Sequence, residues 1–156
     1  WKRVLAGKID CIGTDHSAYL HTEKAEGKDN IFKTPAGITA MQLCYPVFFD
    51  EAVNKRGMSL EQFVHMSSTA AAKLYDLYPK KGIIEIGSDA DLVIFDPAAK
   101  WTVENDKLFY LEKWTPLEGR TVTGRVDETI VRGKTVYRDG EIQMEGGYGQ
   151  FVAALR

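Results

Sequence analysis

The chain has 156 residues, 44% hydrophobic and 27% charged, with 20 basic against 22 acidic side chains and a net charge of −2. These proportions exclude disordered, collagen-like and low-complexity proteins, and no basic run longer than a pair offers a footprint for nucleic acid. No apolar run reaches the ~18 residues of a membrane helix, and two cysteines, Cys11 and Cys44, form neither a disulfide framework nor a CxxC site.

Those thiols read as the reduced cysteines of a cytoplasmic protein. Length carries a further exclusion: a complete (β/α)8 barrel takes roughly 250 residues, more than this chain has.

In chain order, residues 1–6 read as the last turn of a helix, stopped by Gly7 in a left-handed conformation. Residues 9–13 form a short apolar run of the buried-strand type, ending at the polar Thr14-Asp15-His16. Helix, glycine, buried strand and polar strand end are the grammar of an α/β fold. Residues 17–33 then turn polar without a period, a long loop of the kind that carries function. Thr34-Pro35-Ala36-Gly37 is a turn. Ile38, Met41, Tyr45, Phe48 and Ala52 recur at helical spacing, with a kink or restart expected at Pro46 and an end at Gly57.

Ser59-Leu60-Glu61-Gln62 predicts a capping box, Ser59 accepting a first-turn amide while Gln62 reaches back. Thr69 reads as the cap of a second short helix running to Tyr75. After the break at Pro79-Lys80-Lys81-Gly82 the period changes. Strands are expected over residues 83–86, 91–95, 129–132 and 135–138, with Asp139-Gly140 as a hairpin turn. Ile83, Ile86, Leu92, Val93, Ile94, Phe95, Ile130 and Val131 are expected to supply much of the β core. Gly146-Gly147-Tyr148-Gly149 reads as a flexible tail.

Among residues able to do chemistry, Asp15 stands out. A carboxylate just past the end of a buried strand faces the ligand crevice of open sheets and barrels, where it can ligate a metal and move a proton. By itself a Thr-Asp step is also an ordinary turn cap. His16 and His21 share the polar loop, but no HxH, HExxH or Cys/His spacing accompanies them, and His65 lies in a helix. No GxGxxG or P-loop pattern occurs, and Ser67-Ser68-Thr69 has no neighbouring base.

Taken together, several segments resemble one family. Ile12-Gly13-Thr14-Asp15-His16-Ser17 is similar to the strand-8 motif of cyclic amidohydrolases, and Thr34-Pro35-Ala36-Gly37 to the Pro-x-Gly turn that follows it in hydantoinases and dihydropyrimidinases. FVHMSSTAAAKLYDLYPKKGIIEIGSDADLVIFDP, EGRTVTG, VRGKTVYRDGE and GYGQF follow in that family's order. The resemblance implies an α/β fold, the C-terminal portion of a TIM-barrel amidohydrolase over residues 1–81. A β-rich part over residues 82–156 would belong to a small composite β-sandwich.

The resemblance further implies a hydrolase opening C–N bonds in small cyclic amides or imides, with two zinc ions in the complete enzyme and a homo-oligomeric assembly. Asp15 matches the one metal ligand and proton carrier of strand 8, while Ala36 and Gly37 match the turn whose backbone binds the substrate's imide. The family's other ligands have no counterpart here. The 156-residue chain alone is therefore expected to bind no stoichiometric zinc, to open no ring, and to self-associate through its 38–52 face. Dihydroorotase-like relatives carry a histidine where this chain has Tyr19, which argues against that activity. Asp-His-Ser also occurs in allantoinases, so an allantoinase-like enzyme is the alternative. A non-catalytic dihydropyrimidinase-like assembly protein, or a free-standing β-rich interaction module, belongs to a different class. Retention of Asp15 favours the enzyme.

Overall fold

A computed structural model describes residues 1–155. Local signals set most helix ends. Helix α1 (Lys2–Leu5) closes as Gly7 turns to φ +65°. The polar stretch after Ser17 contains α2 (His21–Ala25) and a 3-10 turn (Ile31–Lys33), so it is less irregular than its composition predicts. Helix α3 (Met41–Phe49) runs uninterrupted through a buried Pro46 and continues into a π turn (Asp50–Asn54) before Gly57 ends it at φ +70°.

Beyond that turn, α4 (Leu60–Val64) begins as predicted, with Ser59 Oγ accepting the Gln62 N–H at 3.2 Å. The other half of the box is absent: the Gln62 side chain instead donates to Val4 O at 3.0 Å, tying α4 to α1. Thr69 does precede a short helix, as expected, but its side chain does not cap it. A π turn (His65–Thr69) joins α4 to α5 (Ala70–Leu74), and Thr69 Oγ1 donates to Gly82 O at 2.7 Å. Each of these polar side chains found a distant carbonyl that the local sequence could not announce.

Four strands follow in one antiparallel sheet whose spatial order is the chain order: β1 (Leu92–Thr102), β2 (Thr121–Val131), β3 (Lys134–Arg138) and β4 (Glu141–Ile142). Both hairpins turn on paired left-handed residues, Arg132-Gly133 and Asp139-Gly140, which match the twist of the flanking strands. Pairing of β1 with β2 shifts register between Asp96 and Lys100, around Pro97. Asp96 Oδ1 accepts the Ala98 and Ala99 N–H groups there, at 2.8 and 3.1 Å, in place of ladder partners. Gly124, at φ +117°, lets the Phe49 and Phe95 rings meet across β2 with centroids 4.7 Å apart.

Two of the expected strands are absent among the described residues. Residues 9–13 form no strand: among the described residues the only pairing near them is a single parallel bridge between His16 and Ile38, and Ile12 N–H reaches Met66 O at 3.4 Å. A strand exists only as a ladder, and no neighbour of that kind lies beside this segment among the described residues. Residues 83–86 are likewise irregular, and Ile84 and Ile86 are exposed.

The predicted β core is also displaced. Val93 and Ile94 are more than half exposed, while the buried centre is Leu43, Val103, Leu108 and Val122, where α3 lies on the sheet. Each fully buried side chain of this size contributes about 1.5–3 kcal/mol, so the weight of the packing sits at that joint. A second cluster, Ala52, Met58 and Met66, takes in Val4, Ile12 and Phe63 and so binds α1 and the 9–13 segment to the helices.

The GSDADL stretch, specific as a motif, acts structurally. Lys81 Nζ bridges Asp89, at 2.8 Å, and Asp91, whose Oδ1 accepts the Arg132 N–H at 2.7 Å. Burial raises the Asp91 pKa, but the Lys81 and Arg132 hydrogen bonds outweigh it and hold the carboxyl below its usual range. The tail is tethered where flexibility was expected: the Arg132 guanidinium covers the Tyr148 ring at 4.3 Å, and Leu155 N–H donates to Asp76 O at 2.7 Å. No helix among the described residues is long and apolar enough to cross a membrane.

Candidate active-site segment

Asp15 occupies the top of a tight turn. Its φ is +45°, a left-handed conformation uncommon for a residue with a β-carbon. Thr14 Oγ1 accepts the His16 N–H at 3.1 Å, closing the turn from below, and the Asp15 side chain is exposed. On the far side, Ser17 N–H donates to Ile38 O at 3.0 Å beside the His16–Ile38 bridge. The sequence-adjacent trio Thr14-Asp15-His16 is thereby laid against the segment that follows the Thr34–Gly37 turn, and two motifs about 20 residues apart become neighbours.

Gly37 is required at that crossing. It adopts φ +97°, and a β-carbon on it would stand 2.4 Å from the Ser17 β-carbon. The turn itself is held by Lys24, whose ammonium donates to the carbonyls of Pro35 and Gly37 and sits 5.2 Å from the Tyr19 ring centroid. The Gly37 carbonyl is therefore already engaged. Ala36 is exposed, and its backbone groups make no hydrogen bond to another described residue, which leaves them available to a ligand.

Behind the turn, the α3 N-terminus is filled from outside its own sequence. His16 Nδ1 accepts the Ala40 N–H at 3.0 Å, with Met41 N–H at 3.4 Å. Tyr110 Oη accepts the Gln42 N–H at 2.6 Å and its ring packs on His16, centroids 5.2 Å apart. Burial pushes the Tyr110 phenol above its usual pKa, opposing the hydrogen bonds from the helix amides. Thr39, fully buried, donates to Trp114 O at 2.6 Å, and Trp114 Nε1 donates to Tyr19 O at 3.0 Å. Residues 105–114 thus brace the site from 68 to 95 positions away in sequence. Neither Lys24, Tyr110 nor Trp114 has a local signal; only their long-range partners identify them.

Among the described residues, no three His, Cys, Asp or Glu side chains gather closely enough to hold a metal ion. His21 does not join His16: its ring stands edge-on to Trp114 at 6.2 Å. Asp15 offers one carboxylate donor, and the described residues by themselves do not fit a two-metal centre. Two shallow clefts, of about 380 and 220 Å3, lie beside Tyr148 and over α3, and Asp15 lines neither.

The amidohydrolase family's sequence profile matches residues 1–136, and the chain belongs to that family. Within it, the chain is 36% identical over 152 residues to an L-hydantoinase of Paenarthrobacter aurescens and 40% identical over 157 residues to an allantoinase of Escherichia coli, covering 97% of this chain and 33% of each relative. Its backbone is similar to that of a dihydropyrimidinase from Brevibacillus agri, with a TM-score of 0.94 at 32% identity over the whole chain and 34% of that structure. It also matches a D-hydantoinase from Thermus sp., with a TM-score of 0.91 at 35% identity over 96% of the chain and 33% of that structure. The chain spans about a third of the length of the relatives it matches.

Proposed function

We propose that this chain supplies the C-terminal part of a cyclic amidohydrolase that opens hydantoin or dihydropyrimidine rings. Residues 1–81 form its share of the barrel, and residues 82–156 its share of a small β-sandwich. The names of the relatives support the reaction class. The observation that carries the reading is the His16–Ile38 bridge, which sets the Asp15 turn beside the turn that exposes Ala36.

In this reading the ring imide lies on Ala36, whose N–H donates to a ring carbonyl and whose C=O accepts from the ring N–H. Backbone groups make the contact, so the alanine side chain is immaterial. Gly37 serves by its conformation, which its φ of +97° supports. The Asp15 carboxylate takes the proton of the attacking water and passes it to the ring nitrogen as the C–N bond breaks. In the complete enzyme Asp15 would supply one ligand to a two-zinc centre, whose other ligands would come from outside this chain and which would polarise the ring carbonyl.

Val93 and Ile94, exposed on opposite faces of β1, and the exposed Ile84 and Ile86 leave apolar surface on and beside the sheet, which is consistent with further β structure packing there. Exposed Ile38, Met41 and Tyr45 on the α3 side are consistent with a homo-oligomer or an intramolecular partner. Cys11 and Cys44 are both free thiols, which suits a reducing compartment such as the cytoplasm.

Asp15→Asn in the full-length protein tests this. The amide accepts no proton, so kcat should fall at least about 100-fold while KM changes less. Undiminished turnover would remove the role of Asp15. The 40% identity to an allantoinase supports a second substrate, allantoin, within the same class. Steady-state rates on hydantoin, dihydrouracil and allantoin side by side rank the three.

A further inference from the structure

We infer that His16 is a positioning residue: its unprotonated Nδ1 clamps the Asp15 turn to the N-terminus of α3 and thereby fixes where the Asp15 carboxylate stands. The inference rests on the reading of Asp15 given above.

The first turn of a helix leaves backbone N–H groups without intrahelical partners, and a side chain just before the helix ordinarily accepts them. The residue in that place here is Ala40, whose side chain has no acceptor, and α3 shows no side-chain cap of its own. Two acceptors arrive from elsewhere. His16 Nδ1 lies 3.0 Å from the Ala40 nitrogen and 3.4 Å from that of Met41, and Tyr110 Oη lies 2.6 Å from that of Gln42. Acceptance at Nδ1 assigns the ring proton to Nε2. Tyr110 packs against the imidazole with the ring planes 34° apart, which restricts the ring's tilt.

One side of this joint is rigid and the other is not. Thr39 and Leu43 are each 1% exposed, and Thr39 is bonded to Trp114, so the start of α3 belongs to the core. Asp15 is exposed and left-handed, and its turn is attached to its neighbour otherwise by the one bridge, to which the Ser17 N–H bond belongs. Releasing the clamp therefore moves the carboxylate rather than the helix. A shift of about 1 Å in a reacting group costs on the order of 100-fold in rate.

Two substitutions separate acceptance from ring packing. His16→Phe keeps an aromatic face for Tyr110 but has no acceptor, whereas His16→Asn places Oδ1 where Nδ1 stood and loses the ring. The experiment is made on the full-length protein, with hydantoin and dihydrouracil as probes. Backbone amide exchange of residues 40 and 41 is followed in parallel, and melting curves show that each variant is folded.

For His16→Phe we expect amide exchange at 40 and 41 at least about 10-fold faster and kcat lower by about 10- to 100-fold, with KM within about 3-fold. For His16→Asn we expect both protection and kcat to return to within about 3-fold of the parent protein. Unchanged amide exchange in His16→Phe, or a kcat equal to that of the parent, overturns the inference, as does an Asn variant no better than Phe. Asp15→Asn run alongside separates the two readings. If it is inactive while His16→Phe is fully active, only the clamp falls. If it is fully active, the role of Asp15 falls, and with it the clamp's effect on turnover.

Discussion

Gly37 and Ser17 touch so closely that a β-carbon added to Gly37 would lie 2.4 Å from that of Ser17, and the glycine's φ of +97° is one that side chains rarely adopt. This contact joins the Asp15 turn to the turn that exposes Ala36. Gly37→Ala meets both a steric and a conformational obstacle, and a loss of about 2–3 kcal/mol in unfolding free energy is expected. Urea unfolding reads it, against Gly7→Ala as a control. Gly7 also has a positive φ, +65°, but open space around it, so about 1 kcal/mol is expected there. Equal losses at the two positions would show that the Ser17 contact carries no strain.

A similar comparison tests the joint between α3 and the sheet. A β-carbon on Gly124 would stand 2.7 Å from Phe49 Cδ1 and 2.8 Å from Phe95 Cζ, at φ +117°. Gly124→Ala should lower the unfolding free energy by about 2–4 kcal/mol and separate the Phe49 and Phe95 rings. A double substitution with Phe95→Leu, which shortens one ring, should recover part of that loss. Additivity of the two changes would argue that the rings and the glycine are not coupled.

The pH dependence of stability has a named source in Glu51. Hydrogen bonds from Lys55 and Arg56, with charge from Arg120 nearby, lower its pKa from 4.5 to about 2. Because the folded-state value is depressed, the stabilisation is fully present above about pH 4.5 and is lost as pH falls toward 2. Glu51→Gln should therefore be less stable than the parent at pH 6, and the difference should close over that interval. Lys55 is 48% exposed and the two arginines 31%, so solvent screening keeps the expected difference near about 1 kcal/mol. A difference constant down to pH 2 would assign the effect to packing instead.

Lys24 offers a test of the ligand-facing turn that leaves Asp15 alone. Its ammonium holds the Pro35 and Gly37 carbonyls, and Lys24→Met keeps the length of the side chain without the donors. The turn should loosen, raising KM for the ring substrate by about 10-fold, the scale of one charge-assisted hydrogen bond, with kcat within about 3-fold. A kcat effect without a KM effect would mean that Lys24 supports the Asp15 side of the joint rather than the Ala36 side.

Much of the local architecture was legible in the residues. Gly7, Gly57 and Asp139-Gly140 end or turn elements as read, because the energetics of a left-handed residue are decided within one or two peptide units. Ser59 caps α4 for the same local reason. Asp15 stood out through its place after an apolar run and through motif resemblance. What failed were judgements that depend on a partner: residues 9–13 have the composition of a strand but no ladder, and Ile84 and Ile86 have apolar side chains but no covering layer among the described residues.

Within the chain's own residues, motif resemblance therefore determined the family reading, local pattern the turn residues, and the two together the candidate carboxylate. Tertiary structure alone decided what holds that carboxylate in place. His16 serves as a cap for a helix 24 residues away, Lys24 closes on Pro35 and Gly37, and Tyr110 and Trp114 brace the joint from the far end of the chain. The physical reason is one of range. A turn preference is an energy of the residue's own backbone, whereas a hydrogen-bond acceptor has no assigned use until folding brings an orphaned N–H to it.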